Sequence, residues 1–273
     1  MKGLPQFLII GVQKAGTSWL HRNLREHPGL FLPKTKDLGY FCWCEGEQAL
    51  TLEQYRQEFA RSAPGQLAGE ATAAYFWTES GSQWDVKPTG YCQDLPKRVR
   101  ETLGDNTRLV LSLRDPVERA VSAFIHHIAL GDLDPESSLL DAGDFSGIID
   151  IGFYAVHLQN WLRYFPLRQF LLLDFERDIT LQPAATLRRV FGFLGVESSL
   201  QIPGCEKPVF EGRARRWVDG EVWVPLDQYP QAPPSEQNEI DGGTWCRRVD
   251  RSTVDDLRDI YAADQNQLKG LLG

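Results

Sequence analysis

The chain has 273 residues, of which 42% are hydrophobic, 24% charged and 11% aromatic. That composition excludes a disordered or low-complexity protein and allows one large domain or two small ones. Acidic side chains number 37 and basic ones 29, so the formal net charge is -8, which argues against a nucleic-acid polymer as partner.

Five cysteines at scattered positions are too few for a disulfide scaffold and show no zinc spacing. Reduced thiols and no metal site are therefore expected. The early apolar run Phe7–Ile10 is shorter than a signal-peptide core of about 7–15 residues. No stretch approaches the roughly 18 apolar residues of a membrane span, so the expectation is a soluble, cytoplasmic protein without a transmembrane segment.

In chain order, Phe7–Val12 is a short continuous apolar run with Gly11 near its end, the pattern of a buried parallel strand. Trp19, Leu20 and Leu24 then recur at helical spacing until His27-Pro28-Gly29 stops the helix. A second apolar run, Arg108–Leu113, ends at Arg114-Asp115-Pro116 and is followed by a helix through Val117, Ala120, Val121 and Phe124. A helix around Val156–Leu162 precedes a third strand at Gln169–Asp174, and another helix, Ala184–Leu194, stops at Gly195. Strands alternating with helices predict an α/β fold with a central parallel sheet covered on both faces. Residues from about 200 to 250 are rich in Pro, Gly and charge and read as an irregular segment, either a lid or a solvated loop. A terminal amphipathic helix is expected over about Ser252–Leu272. No linker interrupts the pattern, so residues 1–273 read as a single domain.

The loop after the first strand carries the chemistry. Gly11 and Gly16 bracket four residues, as in the phosphate-cradling Gly-x-x-x-x-Gly-Lys-Ser/Thr loop. Backbone N–H groups and a helix N-terminus favour an anion there. The residue after Gly16 is Thr17 rather than lysine, and the lysine stands inside the loop at Lys14. That displacement argues against a nucleoside-triphosphate kinase and keeps one cation and two hydroxyls, Thr17 and Ser18, for another phosphate donor. Arg114 lies just past the second strand and Ser122 eight residues later, a guanidinium fork and a hydroxyl suited to a second phosphate. His126 and His127, one helical turn past the second motif, are candidate bases; Glu70 reads either as the anchor of a cleft wall or as a lysine's partner. Trp43, Trp77, Trp84, Trp217 and Trp223 fall outside both motifs and line either an acceptor pocket or the core.

The segments Phe7–Leu20 and Arg108–Ser122 resemble sulfotransferases that use 3′-phosphoadenosine 5′-phosphosulfate, most closely the heparan sulfate glucosaminyl N- and 3-O-sulfotransferase type and its bacterial relatives. The resemblance extends through Lys36–Phe41, Gly69–Phe76, Tyr154–Pro166 and the Gly212-Arg213 loop, nearly the whole chain. It implies a P-loop-like three-layer fold and sulfuryl transfer to a hydroxyl, less readily an amine, of a glycan, lipid or natural-product small molecule. By the same resemblance Lys14 is the catalytic lysine, with Ala15, Gly16, Thr17, Ser18 and Trp19 completing the 5′ site. Arg114 and Ser122 match the 3′-phosphate site, and Gly212 and Arg213 the loop that closes over the nucleotide. Asp37 stands where the family's basic glutamate is, one methylene shorter, with His127 as the other candidate catalytic base. The family's lysine before that glycine is Glu211 here, the histidine two residues after the base is Gly39, and the lysine after Glu70 is Ala71. Loss of the groups at 39 and 71, with a net charge of -8, argues against a highly sulfated polysaccharide as acceptor.

Overall fold

A computed structural model describes residues 3–207, 215–229, 232 and 234–273. The chain forms two compact units, each assembled from separate stretches: 1–81, 87–114 and 156–209 in one, 82–86, 115–155 and 210–273 in the other. Discontinuity of this kind leaves no linker to read in the sequence.

The first unit holds a five-stranded parallel sheet in the order β2-β3-β1-β4-β5, with β1 at Phe7–Gly11, β2 at Leu30–Phe31, β3 at Leu67–Ala71, β4 at Arg108–Leu113 and β5 at Phe170–Asp174. Every residue of β1 is buried, which is why its sequence shows no polar alternation. Phe7 and Ile9 share one face with Ala71, Val110 and Leu173. Against that face pack α1 (Thr17–Arg25), through Trp19, Leu20 and Leu24, and α6 (Pro183–Leu194), through Leu187, Val190 and Phe191. Helices α2 (Leu52–Gln57), α3 (Leu95–Leu103) and, from Val156 on, α5 (Tyr154–Leu162) also belong to this unit. Capping fixes their starts: Thr51 and Gln54 form a reciprocal box at α2, and Asp94 accepts the Lys97 N–H at α3.

The second unit holds α4 (Pro116–Leu130), α7 (Arg251–Leu272) and an antiparallel sheet in the order β6-β7-β9-β8. Its strands are β6 at Arg216–Val218, β7 at Glu221–Pro225, β8 at Gln237–Ile240 and β9 at Gly243–Val249. This corrects the irregular segment expected from about 200 to 250. Two-residue Asp-Gly turns, Asp219-Gly220 and Asp241-Gly242, join the strand pairs with positive φ at all four residues. That is the chemistry of a tight hairpin, a signal present in the sequence but hidden among the prolines and charges. Val222, Val224, Cys246 and Val249 share a core with Val121 and Phe124 of α4 and Leu257 and Tyr261 of α7. The fully buried Arg119 donates to the carbonyls of Gly147 and Ile148, so its charge is held by backbone dipoles.

A second correction concerns the cysteines. Cys44 and Cys92 are joined in a disulfide across a separation of 48 residues, while Cys42, Cys205 and Cys246 are free and buried. Closing a loop of that size restricts the unfolded chain by an amount worth on the order of 4 kcal/mol.

Packing between β1 and β3 leaves no room for a side chain at Gly69, where an added Cβ would lie 2.2 Å from the Phe7 ring. Gly69→Ala should therefore lower stability by about 1–3 kcal/mol or more. Urea unfolding measures it, and a change within about 0.5 kcal/mol would mean that the sheet yields at this point.

Candidate active site

The sharp turn from β1 into α1 is set by crowding. A Cβ on Gly11 would come 2.8 Å from Phe76 Cβ, and one on Gly16 would come 2.8 Å from Ile179 Cδ1. Gly16 is the N-cap of α1 at φ 84°, and no side chain caps the helix. There is also no acidic residue in the first helical turn. The N-terminal end of α1 is thus left to backbone donors, with the hydroxyls of Thr17 and Ser18 in the same turn. Lys14 sits on this loop at φ 70°, a left-handed conformation uncommon for a lysine. Trp19 is buried and its indole N–H donates to the Cys205 carbonyl at 2.6 Å, which pins α1 to the segment after α6.

Arg114 reaches this loop from the end of β4. Its Nη1 donates to the Lys14 carbonyl at 3.4 Å, its Nε to Glu176 Oε1 at 3.1 Å, and its guanidinium lies 4.9 Å from the centre of the Phe175 ring. Burial raises the Glu176 carboxyl above its ordinary range, with Arg114 pulling the other way. The structure therefore brings Lys14, Ala15, Gly16, Thr17, Ser18, Trp19 and Arg114 together in one unit.

Asp37 belongs to the same unit and is fixed by the loop that follows β3. Its N–H donates to the Ala71 carbonyl at 2.8 Å, and its Oδ1 accepts from the Ala73 N–H at 2.9 Å. Its Oδ2 lies 2.6 Å from Lys36 Nζ, and about half of the side chain is exposed. Like Lys14, Asp37 has a positive φ, here 59°. The family's histidine position, Gly39, lies against the Trp43 indole: a Cβ there would sit 3.4 Å from Cδ1 and Nε1. Trp77 is buried near Tyr91, with Lys87 Nζ 4.1 Å from the Trp77 ring centre.

Glu70 does not pair with a lysine. It is 1% exposed on β3, and neither carboxylate oxygen has a partner at hydrogen-bond distance and angle, although the Tyr55 and Tyr75 hydroxyls face it and favour its charged form. Burial dominates and pushes its carboxyl up to about 8. The same cluster holds Cys42, whose thiol burial pushes up to about 12.

Ser122 and His127 lie on α4 in the second unit. Ser122 Oγ accepts from Arg215 Nη1 at 3.1 Å, and Arg215 Nη2 also meets Glu118 Oε2 at 3.5 Å. Arg215 belongs to neither motif; its one signal in the sequence is the cluster of three arginines at 213, 215 and 216. His127 Nδ1 is 2.9 Å from Asp132 Oδ2, and its ring packs edge-on against Phe145. Those contacts close the end of α4 and give the imidazole a structural occupation. An open cavity of about 330 Å³ in this unit is lined by Asp115, Val117, Glu118, Trp217 and Arg258. Trp84 stacks on Phe153, and Trp223 is buried. Gly212 and Arg213 lie outside the described residues. Among the described residues no cluster of His, Cys, Asp or Glu has the makings of a metal site, and no helix is long and apolar enough to cross a membrane.

Residues 4–209 match the sulfotransferase domain family. The chain belongs to that family. It is 34% identical over 212 residues to the human heparan sulfate glucosamine 3-O-sulfotransferase 3B1, covering 72% of this chain and 47% of the relative. A mouse heparan sulfate glucosamine 3-O-sulfotransferase 6 is also 34% identical, over 201 residues covering 71% and 53%. The chain thus spans about half the length of these relatives. A solved sulfotransferase from Alicyclobacillus acidocaldarius has the same fold, with a TM-score of 0.67 and 19% identity over 98% of this chain and 95% of the other. The family match and the five-stranded parallel sheet bear out the α/β, P-loop-like fold expected from the sequence.

Glu70 makes a pH dependence testable. A carboxyl with a raised folded pKa binds more protons folded than unfolded between the two values, so stability falls as pH rises from about 4.5 to about 8. Native protein should lose a few kcal/mol from this group across that window, and Glu70→Gln, neutral throughout, should lack that part of the slope. Urea unfolding at about pH 5, 7 and 8.5 measures the difference. A native-to-variant gap that stays constant with pH would mean that Glu70 is ionised in the fold at neutral pH.

Proposed function

We propose that this chain transfers a sulfuryl group from 3′-phosphoadenosine 5′-phosphosulfate to the hydroxyl of a glycan, lipid or natural-product acceptor. The observation that carries the reading is the loop between β1 and α1: an uncapped, acid-free helix start, Lys14 held at positive φ, and Arg114 bonded to the Lys14 carbonyl. Those groups suit a nucleotide bearing two separated anions, one at the loop and one at the arginine. The donor supplies an activated sulfuryl group attached to a good phosphate leaving group.

Transfer of this kind asks the protein for positioning and charge neutralisation rather than covalent chemistry. Backbone donors at the start of α1, with Thr17 and Ser18, bind the 5′ end, and Lys14 meets the negative charge that builds on the leaving oxygen. Arg114 holds the 3′-phosphate, with Glu176 and Phe175 fixing the direction of its guanidinium. Within the second unit Ser122 accepts from Arg215, a polar pair suited to an anion. Asp37 takes the acceptor's hydroxyl proton on its half-exposed carboxylate while Ala71 and Ala73 hold its backbone and Oδ1. Lys36 Nζ, 2.6 Å from Oδ2, holds the other carboxylate oxygen in place.

Similarity to heparan sulfate enzymes supports a glycan. Gly39 and Ala71, together with the net charge of -8, favour a glycan or other acceptor that is itself weakly charged.

Labelled donor incubated with an acceptor panel tests the reading; absence of any binding of the desulfated nucleotide would sink it. Arg114→Ala should weaken 3′-phosphoadenosine 5′-phosphate by roughly 1.5–3 kcal/mol and leave adenosine 5′-phosphate nearly unchanged. Calorimetric titration separates the two, and equal weakening would make Arg114 a structural residue. Lys14→Ala should cut turnover on the order of 10²-fold or more, whereas Asp37→Asn should cut turnover with nucleotide affinity intact. Full activity in Asp37→Asn combined with loss in His127→Ala would move the proton to the histidine.

A further inference from the structure

The strap that follows Asp37 is fastened to a second segment at several points. Cys92 N–H donates to the Cys42 carbonyl at 2.7 Å, Cys44 N–H to the Gly90 carbonyl at 2.9 Å, and the Trp43 and Tyr91 rings meet edge-on at 5.7 Å. The disulfide Cys44–Cys92 closes the same junction, with the two Cα atoms 5.3 Å apart. Its two sulfurs are unlike. Cys44 is exposed, whereas Cys92 is only 4% exposed. Arg98 from α3 places Nη1 3.1 Å from Cys92 Sγ and 3.5 Å from Cys44 Sγ, and the same nitrogen donates to the Trp43 carbonyl at 2.6 Å. The Arg98 guanidinium also lies 4.6 Å from the Tyr40 ring centre, which holds it in place.

We propose that Cys44–Cys92 is a thiol–disulfide exchange site, attacked by a small thiol at Cys44 with Cys92 leaving onto Arg98, and that this exchange unfastens the strap carrying Trp43. The attacking thiolate forms a new S–S bond to Cys44 Sγ. The old bond breaks with its electron pair on Cys92, and the resulting thiolate is held by the Arg98 charge until it takes a proton from water. A second equivalent of thiol attacks the mixed disulfide and frees Cys44. In sum two thiols are oxidised to one disulfide and the protein gains two thiols. Exposure selects the sulfur attacked, and a guanidinium at the buried sulfur favours that side as the leaving group, because a stabilised thiolate leaves faster. Cys42, two residues before Cys44, does not compete: it is buried, and its thiol is held far from ionisation. Loss of the bond leaves only hydrogen bonds and ring contacts at the junction. Trp43 packs against Gly39, two residues from Asp37, so the exchange acts on the acceptor side of the site and not on the β1–α1 loop.

The experiment uses the full chain and reduced glutathione. Thiol titration of protein denatured without reductant should find three thiols, Cys42, Cys205 and Cys246; five would overturn the proposal. After limited treatment with glutathione, peptide mass spectrometry should place the mixed disulfide on Cys44. Glutathione on Cys92 instead, or on neither, would overturn it. Arg98→Ala should slow the exchange by roughly threefold to tenfold, and Arg98→Lys, which keeps the charge, should restore most of the rate. Equal rates in all three proteins would remove the arginine from the step. Hydrogen exchange after full reduction, and in Cys92→Ser, should quicken on the order of tenfold at residues 42–46 and 90–92 while residues 11–20 stay protected. Unchanged protection at 42–46 would show that the disulfide does not fasten the strap. None of these readouts uses sulfuryl transfer, so a failure of the proposed reaction leaves them standing.

Discussion

The close approach of Gly16 to Phe175 and Ile179 is the constraint on which the first unit's chemistry depends. Because Gly16 has no side chain, the chain can turn from β1 into α1 directly over those two residues. Phe175 in turn lies beneath the Arg114 guanidinium, and Arg114 binds the Lys14 carbonyl. The four residues form a closed circuit: the glycine admits the aromatic ring, the ring orients the arginine, and the arginine fixes the loop that holds the lysine. Lys14 keeps an uncommon backbone conformation within that circuit because its neighbours leave little alternative. A loop organised in this way pays the ordering cost in folding rather than on meeting an anion.

Charge is arranged against the overall sign of the protein. A net charge of -8 would repel a nucleotide, yet α1 has no acid in its first turn, and Lys14 and Arg114 converge on the same loop. The two carboxyls near β3 are treated in opposite ways. Asp37 is half-exposed and bonded to Lys36 and to a backbone N–H. Glu70 is sealed among tyrosines without a cation, and burial favours its neutral form. The two acids thus meet different surroundings, one facing solvent and a cation, the other packed as uncharged bulk.

Much of this was legible in the sequence because its signals are local. Phe7–Val12, Arg108–Leu113 and Gln169–Asp174 read as strands, within a residue of those observed, since a central parallel strand is apolar on both faces. Gly16, Lys14 and Arg114 read as an anion site since spacing alone brings strand ends to one edge of the sheet. Strand β2 is two residues long and offers no period to detect. The β6–β9 sheet was masked by its own composition, although Asp219-Gly220 and Asp241-Gly242 marked both hairpins. Arg215 at Ser122 and the Cys44–Cys92 bond are contacts between residues 93 and 48 positions apart, and nothing in a single sequence announces such pairings.

Two of the positions at which this chain departs from the pattern it resembles, 39 and 71, lie in the first unit, and packing explains what stands there. At position 39 a side chain would press on the Trp43 indole at 3.4 Å, so glycine there and tryptophan four residues on belong to one arrangement. Trp43 is in turn held by Tyr91, by Arg98 through its carbonyl, and by the adjacent disulfide. At position 71 alanine sits in the core face with Phe7 and Ile9, while its carbonyl anchors Asp37. At position 39 the result is an indole packed on bare backbone beside a covalent fastening; at position 71 it is a small apolar side chain in the core. A shared fold fixes the β1–α1 frame but not the surface at positions 39–44, and it is at such grafted surfaces that members of one fold come to differ.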